Sequence, residues 1–229
     1  MKLVLFDIDG TLLRSGGAGR RSMEDALRTL FGTTGDPAYR YDGKTDRQIA
    51  REQLRAVGID DAIISARMDE LLEAYVQRLT EELARDASAV TLCAGVPALL
   101  DALEQQPDVT VGLLTGNIER GAREKLRAVD MLFDRFKVNA FGSDHEHRTE
   151  LPAVAQRRAR DMFGVELVGH DLVIIGDTPM DIHCGRALGV RAIGVATGWY
   201  SVDDLHTHAP YAAFESLTDT DAVLSAMLD

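Results

Sequence analysis

Two aspartates follow an apolar run near the beginning of the chain. The run 3–6 predicts a strand that is buried on both faces, as in a parallel sheet covered by helices, and Asp7 and Asp9 follow it. Side chains at i and i+2 of an extended chain point to the same side, and Gly10 lets the chain turn away. Two carboxylates about 4 Å apart repel by roughly 4 kcal/mol at an effective dielectric near 20. The pair therefore predicts a bound cation or a shared proton; two solvated acids at a strand end are the alternative.

A second acidic pair follows another apolar run. The run 172–176 leads into Asp177, and Pro179, which suits the first turn of a helix, places Asp181 one turn later. In open parallel α/β sheets, ligands bind beyond the carboxyl ends of the strands, near a switch in strand order. We therefore expect four carboxylates to converge there, and ligation by oxygen alone favours Mg²⁺.

A third apolar run ends in residues suited to an anion. The run 109–114 is followed by Thr115, Gly116 and Asn117, and then by a predicted helix over 118–129. A hydroxyl, a flexible glycine and free amides at a helix N-terminus together form an anion site. An anion site beside Mg²⁺ predicts a phosphate substrate.

Three segments carry a resemblance to a known family. In this order, FDIDGTL, LLTGN and IIGDTPMD resemble motifs I, II and IV of the haloacid dehalogenase superfamily. The resemblance covers nearly the whole chain and is greatest to the phosphoglycolate phosphatase-like branch, which carries a helical cap inserted after motif I. It implies a Rossmann-like α/β core with a doubly wound parallel sheet.

The resemblance also implies a mechanism. Asp7 would be the nucleophile that forms an aspartyl-phosphate, and Asp9 would be the general acid and then the general base. Thr115, helped by the amides of Gly116 and Asn117, would bind the phosphoryl oxygens.

The same resemblance implies the ligands of the metal. Mg²⁺ would be held by Asp7, by the backbone carbonyl of Asp9 and by Asp177. Asp181 would bind it through water or support another ligand.

Motif III departs from the family pattern. Many relatives carry a Lys followed by Pro, but this sequence has no Lys after Lys137. Arg148 is our candidate for the missing cation, since Arg can bind a carboxylate or phosphate through two hydrogen bonds. Arg157 and Arg158 are rivals, although solvated charges on a helix surface explain them better.

Order along the chain predicts two domains. Residues 1–15 and 89–229 form the predicted α/β core, and residues 16–88 form an all-helical cap, with the Gly-rich stretch 14–19 as a hinge. A capping box at 45–48 predicts a helix to residue 57. A longer cap helix is predicted by apolar residues at helical spacing: Ile64, Met68, Leu71, Leu72, Tyr75, Val76, Leu79 and Leu83.

After the cap, predicted strands and helices alternate, which is typical of a doubly wound sheet. The predicted helices are 96–106, 118–129, 151–163 and 179–188. The predicted strands are 109–114, 137–140, 171–175 and 191–195. From residue 211 we expect a small strand and then a helix.

Some residues leave alternatives open. Lys44, in a turn before the predicted helix, is a candidate for binding a second anionic group of the substrate, or an ordinary exposed Lys. Arg20 and Arg21 are weaker candidates of the same kind. Trp199 either contacts substrate or packs, and His145 and His147 are expected to be solvated rather than to bind a transition metal.

Composition agrees with an enzyme for small molecules. The net charge is −12, with 37 acidic and 25 basic residues, which disfavours a nucleic-acid partner. Cys93 and Cys184 predict free thiols in a reducing compartment. Without a recognisable leader or an apolar run of membrane length, the expected location is the cytoplasm. A monomer and a homodimer are both possible.

The leading function is a Mg²⁺-dependent phosphomonoesterase for a small phosphorylated metabolite, with 2-phosphoglycolate as first candidate by resemblance. A phosphosugar mutase on the same scaffold and a non-catalytic phosphate-binding protein are the alternatives. A dehalogenase would need neither Asp9 nor the pair Asp177 and Asp181.

Overall fold

The computed structural model of the protein describes residues 1–228, in which eight strands and nine α-helices occur. The strands are β1 Lys2–Phe6, β2 Leu13–Arg14, β3 Thr91–Leu92, β4 Val109–Thr115, β5 Val138–Phe141, β6 Leu172–Gly176, β7 Arg191–Val195 and β8 Ala212–Phe214. The helices are α1 Ala18–Phe31, α2 Asp46–Ala56, α3 Asp61–Arg85, α4 Val96–Glu104, α5 Glu119–Arg127, α6 Leu151–Phe163, α7 Pro179–Cys184, α8 Val202–His206 and α9 Thr220–Leu228.

Six strands form one parallel sheet in the order β5-β4-β1-β6-β7-β8. Val4 and Phe6 belong to the larger apolar cluster, together with residues of α4, α5 and α9, whereas Leu3 and Leu5 belong to a second cluster with α6. Strand order reverses on either side of β1, so its carboxyl end is a switch point where a ligand can enter. The predicted doubly wound α/β fold is confirmed.

Helices α1, α2 and α3 lie between β2 and β3 in the chain, in the segment that the sequence predicts to be a helical cap, and this segment is called the cap below. The buried residues of α3 are the eight that helical spacing predicted. The domain bounds proposed from the sequence stay a prediction, because apolar residues of the cap and of the core belong to one contiguous cluster.

Local details differ from the predictions in several places. Residues 18 and 19 open α1, so the expected hinge 14–19 is helical at its end. Thr45 caps α2 by accepting a hydrogen bond from the Gln48 N–H, but the Gln48 side chain donates to Glu52, so the capping box is one-sided. The predicted helix 179–188 ends at Cys184 and continues only as a 3₁₀ turn.

Two elements were missed. The short antiparallel pair of β2 and β3 joins the two connections between core and cap. Helix α8 begins at a capping box of Ser201 and Asp204, which was overlooked.

Cys93 and Cys184 are buried and unpaired, as predicted. Among the described helices, none has the combination of length and apolar character that crossing a bilayer requires.

Candidate active site

The carboxyl ends of β1, β4 and β6 open into a cavity of about 550 Å³ beneath the cap. Eight of the nine predicted site residues line it: Asp7, Asp9, Lys44, Thr115, Gly116, Asn117, Arg148 and Asp177. The ninth, Asp181, is buried beside the cavity. Both acids after β1 therefore face one crevice, as the strand pattern predicted.

Three buried carboxylates form a cluster that could hold a metal ion. Oxygen atoms of Asp7, Asp177 and Asp181 lie within 4.8 Å of one another. The Oδ2 of Asp181 accepts hydrogen bonds from the Thr178 N–H at 3.0 Å and from its hydroxyl at 2.6 Å. Asp7 and Asp177 line the cavity, whereas Asp181 lies behind them and is buried. The Asp9 carboxylate lines the same cavity but is not part of this cluster, because its Oδ2 accepts hydrogen bonds from Lys125 and Asn117.

Close backbone approach shapes this cluster. Gly10 has a φ of +84°, and a Cβ at this position would lie 2.3 Å from the Asp177 Oδ2. The Thr11 hydroxyl donates a hydrogen bond to Oδ1 of the same carboxylate at 3.2 Å. The turn after β1 thus brings a carboxylate from β6 against the chain that carries Asp7.

The charge of the cluster is incompletely balanced. Burial raises the pKa of Asp7 to about 6; Arg148 opposes this shift, and Asp181 and Asp9 add to it. Burial also raises the pKa of Asp177, and the neighbouring charges of Asp181 and Asp7 raise it further. Three buried carboxylates share one buried cation, so oxygen ligands and excess negative charge fit a divalent cation.

Arg148 is that cation. Its side chain is 1% exposed, its Nη2 lies 3.2 Å from the Asp7 Oδ1, and it also pairs with Asp181. The rival Arg157 is exposed, and Arg158 pairs with Asp144 at 2.7 Å on the helix surface. Of the three arginines considered for motif III, Arg148 is the one that the structure brings to the predicted nucleophile.

Asp9 has a cation of its own, which the sequence analysis missed. Lys125 Nζ lies 2.5 Å from the Asp9 Oδ2, and the Asn117 Nδ2 donates to the same oxygen at 2.7 Å. Burial raises the pKa of Asp9, but Lys125 and Asn117 outweigh it and hold this pKa below its usual value. The available signal was a Lys on the buried face of α5, beside Ala122 and Leu126.

The expected anion site after β4 is only partly open. The Thr115 hydroxyl accepts a hydrogen bond from the Asn117 Nδ2 at 2.8 Å. The N–H of Ile118 donates to Asp46 at 2.8 Å, and the N–H of Glu119 contacts the Ser143 hydroxyl at 3.3 Å. The prediction of free amides at the start of α5 was therefore wrong for these two.

The cap lies closed on the core. The Asp46 N–H donates to the Gly116 carbonyl at 2.8 Å, and the Thr45 hydroxyl donates to the Glu146 carbonyl at 2.5 Å. A Cβ on Gly116 would lie 2.0 Å from the Lys44 carbonyl oxygen. The first turn of α2 thus contacts the loop after β4 directly, and a side chain at position 116 would separate them.

The candidate cations of the cap already have partners. Lys44 lines the cavity, but its ammonium pairs with Glu52 at 3.0 Å and donates to the Tyr39 hydroxyl at 2.7 Å. Arg20 pairs with Glu24 at 2.8 Å. Arg21, at 3.0 Å from Glu82, lies outside the cavity lining.

The solvent exposure of their side chains decides between the alternatives for Trp199, His145 and His147. Trp199 is 83% exposed and lines the cavity, so the interpretation of a packed side chain was wrong. His145 and His147 are not buried, and neither belongs to a cluster of metal-binding side chains within the described residues.

Comparison with known proteins identifies the family. The sequence model of the haloacid dehalogenase-like hydrolases matches residues 4–186. The chain belongs to this family. It is thus a hydrolase whose motifs I, II and IV lie at the carboxyl ends of β1, β4 and β6.

Individual members of the family resemble the chain over most of its length. A phosphoglycolate phosphatase from Pseudomonas putida is 24% identical over 220 residues, which cover 94% of this chain and 77% of that protein. The structure of CbbY from Rhodobacter sphaeroides in complex with phosphate superposes with a TM-score of 0.76 at 17% identity, covering 96% of each chain. A β-phosphoglucomutase-like structure from Bacteroides vulgatus gives 0.69 at 18% identity, covering 99% of this chain and 88% of that one.

Proposed function

We propose that the protein is a Mg²⁺-dependent phosphomonoesterase that acts on a small phosphorylated metabolite through an aspartyl-phosphate. One observation carries the proposal. Two aspartates from the same strand end share one cavity, and each is paired with its own buried cation, Arg148 for Asp7 and Lys125 for Asp9. Separate environments for two neighbouring carboxylates suit separate chemical roles.

Phosphoryl transfer then takes two steps. In the first, a carboxylate oxygen of Asp7 bonds to phosphorus while the bond from phosphorus to the leaving oxygen breaks. Asp9 enters this step in its protonated form, which Lys125 and Asn117 disfavour, and gives that proton to the leaving oxygen. In the second, Asp9 takes a proton from water, the water oxygen bonds to phosphorus, and the Asp7–phosphorus bond breaks. Thr115, Gly116 and Asn117 bind the phosphoryl oxygens.

Mg²⁺ would be held by Asp7, Asp177 and the backbone carbonyl of Asp9, with Asp181 as a supporting group. When bound, it supplies positive charge that offsets the carboxylates and the phosphate. Arg148 keeps the Asp7 carboxylate oriented by its contact at 3.2 Å. Residues of the cap line the same cavity, so in this proposal the leaving group lies between the cap and the core.

The substrate is small, and 2-phosphoglycolate is the first candidate. The cavity of about 550 Å³ lies in the usual range for small-molecule sites. The name of the Pseudomonas putida relative supports this choice. In this proposal Lys44 binds a second anionic group of the substrate, for which it must exchange its present contact with Glu52. A cytoplasmic location, and either a monomer or a homodimer, stay predictions.

A phosphosugar mutase is the second candidate. The likeness to the β-phosphoglucomutase-like structure favours it, and such an enzyme would use the same acids. A mutase would return an isomerised sugar phosphate instead of free phosphate.

Phosphate release from a panel of phosphomonoesters tests the proposal. The panel holds 2-phosphoglycolate, sugar phosphates, nucleotides and p-nitrophenyl phosphate, each with Mg²⁺ and with a chelator, and Asp7→Asn serves as the blank. Release that needs Mg²⁺ and is lost in the blank is the expected result. Isomerised product without release would favour the mutase, and retained phosphate binding without either product would favour a non-catalytic protein.

A further inference from the structure

The two oxygens of the Asp9 carboxylate have different surroundings. Oδ2 accepts from Lys125 at 2.5 Å and from Asn117 at 2.7 Å. Oδ1 is contacted by the Ser15 hydroxyl at 3.3 Å, a long and weak hydrogen bond. The Asp9 side chain is 42% exposed and lines the cavity, whereas that of Lys125 is 4% exposed. One oxygen is thus anchored and the other is left for a ligand.

The Lys125 ammonium has a second hydrogen-bond partner besides Asp9. It also donates to the Asn117 Oδ1 at 2.6 Å, while the Asn117 Nδ2 donates to Asp9 and to the Thr115 hydroxyl. On the cap side, Gly19 of α1 faces the ammonium: a Cβ at this position would lie 3.3 Å from Lys125 Nζ, so a glycine here leaves the ammonium its space. The ammonium therefore closes a ring of hydrogen bonds through Asp9 and Asn117.

We propose that Lys125 is a positioning residue for Asp9, and this inference rests on the proposed function. It fixes Oδ2 so that Oδ1 faces the leaving oxygen in the first step and the attacking water in the second. Its role is separate from that of Arg148, which contacts the other aspartate. A proton donor must lie within hydrogen-bond reach of its acceptor, so an Asp9 carboxyl group that was free to rotate would transfer its proton less often.

A comparison of leaving groups isolates this role. An alkoxide is a poor leaving group and needs the proton from Asp9, whereas p-nitrophenolate leaves without it. The value of kcat/KM reports all steps up to release of the leaving group. It is therefore measured for two substrates: p-nitrophenyl phosphate, and the alkyl phosphate hydrolysed best in the phosphomonoester panel described above. The proteins are the unmodified chain, Lys125→Met, Lys125→Arg and, as matched control, Lys137→Met, whose side chain is exposed.

For Lys125→Met we expect kcat/KM to fall at least about 100-fold with the alkyl phosphate and less than about tenfold with p-nitrophenyl phosphate. Lys125→Arg, which keeps a charged donor, should lie between Lys125→Met and the unmodified protein. Lys137→Met should leave both values unchanged. Thermal unfolding is followed alongside; if Lys125→Met does not fold, the same ratio is read from Lys125→Arg and from Lys125→Gln.

Equal losses with the two substrates, or no loss, would overturn the role of Lys125 while leaving the proposed function intact. Failure of the unmodified protein to release phosphate from any substrate would overturn the proposed function, and the role of Lys125 with it.

Discussion

The Asp46 carboxylate, in the cap, accepts a hydrogen bond at 2.8 Å from the backbone N–H of Ile118, in the loop between β4 and α5. Asp46 is buried, and burial raises its pKa to about 6, although Lys125 and the Ile118 hydrogen bond act in the opposite direction. A carboxyl that ionises reluctantly therefore lies at the junction between cap and core.

This junction makes stability depend on pH in a defined direction. The folded-state pKa of Asp46 lies above its unfolded value, so its contribution to stability is fully present below about pH 4 and is lost as the pH rises to about 6. An Asn side chain can still accept the Ile118 hydrogen bond but does not ionise. We expect Asp46→Asn to raise the free energy of unfolding by up to about 3 kcal/mol at pH 8, and by much less at pH 4.

Urea unfolding at the two pH values measures this difference. Asp69→Asn is the control, because the Asp69 side chain is 92% exposed. A variant less stable than the unmodified protein at pH 8, or an equal difference at both pH values, would contradict the account of Asp46.

Loss of Arg148 should affect both stability and activity. Arg148→Met would leave Asp7 and Asp181 without their buried cation, which costs about 3–5 kcal/mol when one partner of a buried pair is removed. We expect this loss in urea unfolding without metal, together with a large fall in phosphate release. Arg157→Met, at an exposed position, should change neither. Normal activity in Arg148→Met would return motif III to Arg157 or Arg158.

The metal site predicts a stability change on adding Mg²⁺. A ligand at 100 times its Kd stabilises the folded state by about 2.7 kcal/mol, so Mg²⁺ should raise the melting temperature of the unmodified protein. Asp177→Asn removes a carboxylate that lines the cavity and should abolish this rise. An equal rise in the variant would place the metal elsewhere.

Gly116 tests the contact between cap and core. In Gly116→Ala the new Cβ would lie 2.0 Å from the Lys44 carbonyl oxygen, so α2 has to move away. Because displacements of about 1 Å can cost 100-fold in rate, we expect kcat/KM to fall by at least tenfold. Gly121→Ala is the matched control, since its Cβ would meet side chains at 3.5 Å or more, an ordinary contact distance. Full activity in Gly116→Ala would show that this contact is not needed.

Local patterns predicted the fold well. The buried face of α3 follows from helical spacing, and the strand ends at Asp7, Thr115 and Asp177 follow from apolar runs. Both signals depend only on neighbours in the chain. The β2–β3 pair was missed because two residues are too few for a periodic pattern and their partners lie 77 or more positions apart.

Pairings between distant side chains were harder to predict. The sequence marks Lys125 only as a charge on an apolar helix face, and its contact with Asp9 depends on how α5 is turned toward β1. Lys44 was considered free because its partner, Glu52, lies two turns along the next helix. The role of the α5 amides was misjudged because Asp46 reaches the Ile118 N–H from the cap, and the Ser143 hydroxyl reaches the N–H of Glu119.

The most direct test of the central claim is detection of a phosphoryl group on Asp7. Asp9→Asn is mixed with p-nitrophenyl phosphate and Mg²⁺, since the first step then needs no proton donor while the second lacks its base. Acid-quenched protein is digested, and the phosphoryl group is located by peptide mass spectrometry. The account predicts a modified Asp7, absent when Asp7→Asn is added to the same variant. A phosphoryl group on another residue, or nitrophenol release at the unmodified rate without any phosphoenzyme, would contradict it.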